Sequence, residues 1–257
     1  MAEEFTLSVW RGDASGGHEV EYRVPKETGM VVLDALHYIQ HNLAPDLAVR
    51  WNCKAAHCGS CGAEVNGVPK LLCKTRMDDY AGQTVSVRPM KTFPVIKDLV
   101  TDVSWNYQVA QEIPPLAPTV PAPFNMQQID ADRVQEFHRC IECFLCQDTC
   151  HVLRDHHGRD KYFGPRFMVK IAEFEMHPMD GADRVPLLAH EAGVNMCNVT
   201  KCCTEVCPQH IRITDNAIIP LKERVADRYY DPVRMLLRRL SGRKKAADAP
   251  SSTSVAT

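Results

Sequence analysis

The chemistry in this chain sits in its cysteines, and the densest run is Cys140-Ile-Glu-Cys143-Phe-Leu-Cys146-Gln-Asp-Thr-Cys150. A tight loop with a thiol at every third position points three sulfurs into one concavity, while the fourth, one residue further on, faces away. Bacterial-type ferredoxins hold an iron-sulfur cube with this spacing, and the fourth sulfur normally serves a second cluster. A partner run is therefore expected downstream, and Cys197, Cys203, Cys207 and Pro208 supply it. C-x2-C pairs also hold zinc. Four sulfurs in one run, and a second run ending Cys-Pro, favour iron and sulfide over a zinc knuckle.

A complete cube motif starting at Cys197 needs a cysteine at position 200, where the chain has Thr200. With Cys150 crossing from the first run, one site then has Cys150, Cys197 and Cys203, while Cys207 crosses back to Cys140, Cys143 and Cys146. Three ligands with the fourth corner unprovided favour a 3Fe-4S cluster. Cys202 stands close to that corner, but Cys203 must face the cluster, and adjacent side chains seldom converge on one metal. Cys202 is therefore expected to be a small buried thiol.

The second strong motif lies near the start of the chain. Cys53-x4-Cys58-x2-Cys61, followed after eleven residues by Cys73, is the plant-type ferredoxin spacing for a 2Fe-2S cluster. Gly59 and Gly62 lie between and beside these ligands, where a missing side chain lets backbone N–H groups approach the sulfides. His57 adjoins a ligand but is unneeded beside four cysteines, and is expected at the solvent side or behind the ligands.

The elements that must position these loops fall into two units. In residues 1–105, Phe5, Leu7 and Val9 alternate with polar neighbours, as do Val20, Tyr22 and Val24, with the turn formers Gly12 to Gly17 between them; this predicts a hairpin. From Thr28 the period becomes helical, with Val32, Ala35, Leu36, Ile39 and Leu43 on one face and a start near Glu27 or Thr28. An Asn66-Gly67 turn and short runs at Leu71 and at Val85 to Val87 complete a small mixed sheet on one helix. Residues 106–125 read as a linker, because Pro114, Pro115, Pro118, Pro121 and Pro123 forbid helix and favour extended chain. Residues 126–240 read as helical, with Pro165 opening one helix and further pieces at Leu187-Leu188 and at Asn216 to Val225. The cysteine runs belong in loops between these helices. The fold class expected is thus α+β.

Composition narrows the function. At 257 residues two domains are expected. Twelve cysteines exceed ordinary intracellular use and are expected to be occupied. The start, Met1-Ala-Glu-Glu-Phe5, lacks the charged-then-apolar order of a leader, so reduced thiols free for metal are expected rather than disulfides. No apolar run reaches the eighteen or so residues that span a bilayer, so membrane contact is expected to be peripheral or through partners. A net charge of −2 argues against nucleic-acid binding. There is no Gly-rich dinucleotide fingerprint, so substrate and flavin are expected on a partner.

Three cysteine groups in this order, plant-type and then interlocked bacterial-type with Thr200 in the open corner, resemble the iron-sulfur subunit of succinate dehydrogenase and fumarate reductase. The likeness runs from residue 5 to about 232. It includes Phe93-Pro-Val-Ile-Lys-Asp-Leu-Val100 and Cys207-Pro-Gln-His-Ile211. The resemblance implies an N-terminal β-grasp plant-type ferredoxin domain and a C-terminal all-α two-cluster ferredoxin domain. It also implies 2Fe-2S on Cys53, Cys58, Cys61 and Cys73; 4Fe-4S on Cys140, Cys143, Cys146 and Cys207; and 3Fe-4S on Cys150, Cys197 and Cys203. The partners implied are a flavoprotein subunit carrying FAD and a transmembrane anchor where quinone reacts near the 3Fe-4S cluster. The implied location is the cytoplasmic face of a bacterial inner membrane. Fumarate reduction, another flavin dehydrogenase, or a free-standing ferredoxin carrier are the alternatives.

The chain departs from the family's pattern after Cys150. His151 stands where the family usually has proline, and no tryptophan follows in Val152 to His157. A quinone site built differently, or mostly on the anchor, is therefore expected. His151 is placed either to bond a sulfide or donate a proton towards quinone, or to sit in a polar surface loop. Arg234, Arg238, Arg239, Arg243, Lys244 and Lys245, interleaved with Met235, Leu236, Leu237 and Leu240, read as a membrane-edge helix or a solvated helix end. Residues 241–257 read as a disordered tail.

Overall fold

The computed structural model describes residues 4–119 and 125–233. Pro121, Pro123, the basic stretch from Arg234 and the tail lie outside the described residues.

Alternation at the start builds β1 (Glu4–Asp13), in which Phe5, Leu7 and Val9 are buried. It pairs antiparallel with β2 (Gly16–Pro25), with Leu7 opposite Tyr22 and Val9 opposite Val20. On its other side β1 runs parallel to β5 (Thr84–Arg88), with Leu7 opposite Val85. β3 (Gly62–Val65) and β4 (Val68–Leu71) form the hairpin turned by Asn66 and Gly67, both at positive φ, and extend the sheet beyond β5. β6 (Val95–Lys97) and β7 (Val100–Thr101) close the far edge, giving the order β4-β3-β5-β1-β6-β7 with β2 also on β1.

One helix, α1 (Val32–Asn42), packs on this sheet through Val32, Leu33, Ala35, Leu36 and Ile39, all buried. Each of the fully buried Val, Leu and Ile chains contributes about 1.5–3 kcal/mol. The helix begins later than Thr28, because Asp34 reaches back to accept the Val31 N–H at 3.2 Å and closes the first turn there. Leu43 does not join the apolar face. It lies at the helix end with φ −121°, nearly half exposed, and Ala44 and Leu47 fill the core beneath.

The segment read as a linker is only partly extended. α2 (Ser104–Glu112) occupies its beginning, burying Asn106 and Val109, since the first proline comes only at Pro114. From Pro114 to Thr119 the chain is laid as a strap over the helical half. Arg184, whose side chain is wholly buried, donates Nε–H to Pro114 O at 2.9 Å and Nη2–H to Pro115 O at 2.6 Å, and pairs with Asp180. Asp180 in turn accepts the Ala117 N–H at 2.8 Å.

The second half is helical: α3 (Gln128–His138), α4 (Leu145–Asp148), α5 (His151–Arg154), α6 (Pro165–Glu175), α7 (Val185–His190), α8 (Cys202–Glu205) and α9 (Ile219–Tyr229). A π-helical turn over Ile213–Ile218 leads into α9. Pro220 explains it, since a proline lacks the N–H of the regular ladder and crowds the carbonyl four residues before it. The two halves do not separate at the strap. Cys143, Phe144 and Leu145 pack into the core of the sheet unit, so the first bacterial-type loop is partly roofed by the plant-type unit.

Candidate metal centres

The loop of the plant-type motif owes its shape to left-handed backbone at Lys54, Ala56 and Gly59. Alternating left- and right-handed residues turn successive N–H groups to one side, which makes an anion-binding concavity. Here the N–H groups of Ala55 and His57 donate to Cys53 Sγ at 3.4 and 3.3 Å, and that of Cys53 to Cys58 Sγ at 3.5 Å. Burial opposes ionisation of Cys58, but bonds from Ser60 and Cys53 win and draw its pKa down to about 6. The hairpin brings Cys73 back to Cys61, with Leu72 N–H donating to Cys61 O at 3.0 Å. Burial first, and Cys73 beside it, push the Cys61 thiol up to about 12. His57 is exposed, as expected for a residue the site does not need.

The two bacterial-type runs repeat one backbone device. Glu142 and Phe144 follow Cys140, and Val199 and Lys201 follow Cys197, at the same two offsets, and all four are left-handed. A β-branched residue such as Val199 rarely adopts this conformation, and such strain marks functional loops. Two cavities result. One, of about 360 Å³ counting the space at its mouth, is lined by Cys140, Cys143, Cys146 and Cys207, with Arg166, Val169, Ile211 and Ile213 among its walls. The other, of about 280 Å³, is lined by Cys150, Cys197, Cys202 and Cys203 with His151, Tyr162 and Thr200. Thus Cys207 joins the first run and Cys150 the second.

The donor set suits iron-sulfur clusters. Burial, with neighbouring thiols adding to it, pushes Cys143 up to about 12, Cys150 to about 11 and Cys203 to about 12. Buried thiolates of this kind need a cationic core as counter-charge. Backbone N–H groups already face sulfur, from Ile211 to Cys207 Sγ at 3.4 Å and from Val199 to Cys197 Sγ at 3.5 Å. All the cysteines are free. Among the described residues no three His, Cys, Asp or Glu side chains converge on one point fit for a single metal ion.

Three residues differ from the sequence reading or were missed by it. Cys202 is half-buried rather than buried, lines the second cavity, and lies 3.4 Å from Thr200 Oγ1. Left-handed Lys201 starts α8 at Cys202, so both adjacent cysteines come near the cavity. Tyr162 is fully buried at the wall of the same cavity, where its hydroxyl faces the sulfur of Cys197. Arg166 lies at the wall of the four-thiol cavity. Burial lowers its pKa, but the Cys140 sulfur and Glu142 carboxylate raise it by more. No motif announces Arg166 or Tyr162; both flank the Gly164-Pro165 helix start.

The loops meet directly. A Cβ on Gly59 would lie 2.7 Å from Ile141 O and 2.8 Å from Cys143 Cα, and one on Gly62 would lie 3.3 Å from Cys143 O. These glycines therefore also make room for the second cysteine loop. The seam is fastened by Thr92 N–H donating to Asp148 Oδ1 at 2.9 Å and by Gln147 Nε2–H donating to Asn106 Oδ1 at 3.2 Å. Gln209 Nε2–H reaches Ala56 O at 3.3 Å. Glu64 and Arg154 pair across it at 2.8 Å.

A β-grasp sheet with one cysteine loop, seated on a helical unit with two interleaved cysteine runs, is the architecture of a ferredoxin-type electron carrier with several clusters. Residues 6–108 match the family described as "2Fe-2S iron-sulfur cluster binding domain", and residues 136–211 the family described as "4Fe-4S dicluster domain". The chain is 34% identical to the fumarate reductase iron-sulfur subunit of Haemophilus influenzae, over 76% of this chain and 81% of that one. It is 33% identical to the fumarate reductase iron-sulfur subunit of Mycobacterium tuberculosis, over 74% and 79%. In a solved structure titled "Mycobacterium smegmatis Sdh1 complex in the apo form", one chain superposes with a TM-score of 0.88 at 54% identity, covering 91% of this chain and all of that one. The chain belongs to the family of iron-sulfur subunits of succinate dehydrogenase and fumarate reductase.

Among the described residues no helix is long and apolar enough to cross a membrane.

Proposed function

We propose that this chain carries electrons one at a time within a succinate:quinone oxidoreductase, from a flavoprotein that oxidises succinate to fumarate towards quinone at a membrane anchor. In this reading Cys53, Cys58, Cys61 and Cys73 hold 2Fe-2S; Cys140, Cys143, Cys146 and Cys207 hold 4Fe-4S; and Cys150, Cys197 and Cys203 hold 3Fe-4S. Each cluster, when bound, takes and releases a single electron at a potential set by its type, charge and hydrogen bonds.

The residues of the chain position, insulate and tune. Gly59 and Gly62 let the first loop touch the second at Cys143. Val169, Ile211 and Ile213 give the four-thiol cavity an apolar wall that limits water. Thr92, Asp148 and Gln147 fix the spacing of the two halves. His151 lines the last cavity, where an imidazole can hand a proton towards a reacting quinone. Peripheral attachment to the cytoplasmic face of a bacterial inner membrane, through the anchor, belongs to the same reading.

The observation that carries the proposal is the sorting of the cysteines of the two runs into two cavities, with Cys207 and Cys150 exchanged between them. The likeness to the Sdh1 chain supports the succinate-oxidising direction. The fumarate reductase relatives favour a second reading, the same wire run in reverse. Purification of the membrane complex, with succinate oxidation and fumarate reduction assayed side by side, tests both. Copurification with a flavoprotein and small membrane subunits, and faster succinate oxidation, are expected. A monomer that soluble reductases reduce without partners would overturn the proposal.

A further inference from the structure

Arg166 is the second residue of α6, and its side chain is only 6% exposed. Its Nη2 donates to Glu142 Oε1 at 2.5 Å, while Nε and Nη1 are buried and without a protein acceptor. The side chain lines the cavity of Cys140, Cys143, Cys146 and Cys207. Its backbone is held in place, since the Arg166 N–H donates to Gln147 Oε1 at 3.3 Å and a Cβ on Gly164, two residues before it, would collide with Gln147. A buried cation with two unused donor directions is strongly disfavoured unless an acceptor faces it.

We propose that Arg166 donates Nε–H and Nη1–H hydrogen bonds to sulfur atoms of the cluster that these four thiols hold, and so raises that cluster's reduction potential. This rests on the ligand set proposed above. Reduction adds one electron, and hence one negative charge, to the sulfur-rich core; the electron later leaves and Arg166 neither gains nor loses a proton, a guanidinium staying charged throughout. A fixed guanidinium therefore favours the reduced form over the oxidised one. Glu142 opposes this only weakly, because its side chain is half exposed and its charge is screened by water.

The test is a redox titration of the intact complex followed by electron paramagnetic resonance, with Arg166→Gln, Arg166→Lys and Glu142→Gln. Arg166→Gln is expected to lower the reduced-to-oxidised ratio of the 4Fe-4S cluster about tenfold at a fixed potential, a shift of about 59 mV for one electron. Arg166→Lys should recover part of the shift, as a point charge without the fork, and Glu142→Gln should not lower the potential. On unaltered protein labelled with guanidino-¹⁵N arginine, pulsed spectra of the reduced cluster should show a nitrogen coupling. An unchanged midpoint in Arg166→Gln would overturn the inference. If that variant fails to assemble, absence of the ¹⁵N coupling in the unaltered protein would overturn it instead. A complex without any 4Fe-4S signal would refute the ligand set itself.

Discussion

Adding one methyl group at the contact between the cysteine loops tests whether that contact is structural for the wire. In Gly59→Ala the new Cβ would lie 2.7 Å from Ile141 O, 2.8 Å from Cys143 Cα and 2.9 Å from Cys143 N. These are backbone atoms, so they cannot swing aside as a side chain tip does. The left-handed conformation, φ +70°, costs an alanine about 1–2 kcal/mol, and overpacking adds about 1–3 kcal/mol. At about 2–4 °C per kcal/mol for a chain of this size, the Tm falls by roughly 4–20 °C. Gly82→Ala is the matched control. Its φ is +77° and nothing lies within 4 Å, so it carries the conformational cost alone. Thermal unfolding of the cluster-loaded chain, followed by visible absorption, reads the difference, and quinone reduction by the assembled complex should slow only in Gly59→Ala. Equal Tm values for the two variants would show that the Gly59 contact does not constrain the second loop.

Other consequences can be checked with standard measurements. Arg184→Met strips the buried Asp180 carboxylate of its partner and frees the carbonyls of Pro114 and Pro115, so a loss of about 3–5 kcal/mol is expected in urea unfolding, partly recovered by adding Asp180→Leu. Cys202→Ser should keep the 3Fe-4S signal of the oxidised complex, while Cys203→Ser should lose it; loss in both would make Cys202 a ligand. Burial, and then the charge of Asp148, lift the Glu64 carboxyl to about 7 from an ordinary 4.5. The folded state therefore keeps a proton that the unfolded state has already released between those values, and stability declines as pH rises through that window. Glu64→Gln should flatten the urea-midpoint profile there; a wild-type midpoint that rises from about pH 5 to about pH 7 would contradict the sign.

Much of the site is legible in the sequence because ligand spacing is a local property. Cys53, Cys58 and Cys61, or Cys140, Cys143 and Cys146, must come from one loop whatever the rest of the chain does, and the alternation of Phe5, Leu7 and Val9 fixes the sheet face in the same local way. Helix ends were less legible. The start at Val32 depends on Asp34 closing back on Val31, and Leu43 leaves the helical face because the chain turns there. The extent of α2 is hidden in a segment whose prolines all lie at or beyond Pro114. What could not be read was contact between distant parts. Arg166, Tyr162 and the second role of Gly59 exist only once α6 and the two loops are packed, and Cys202 reaches the cavity only through left-handed Lys201.

The proposed wire stands on three iron-sulfur centres built from distant cysteines. Electron paramagnetic resonance of the anaerobically purified complex, oxidised and then reduced stepwise, is the decisive experiment. A 3Fe-4S signal is expected in the oxidised sample, and 2Fe-2S and 4Fe-4S signals on reduction. A correctly folded, colourless protein that holds zinc and no labile sulfide would rule the three centres out.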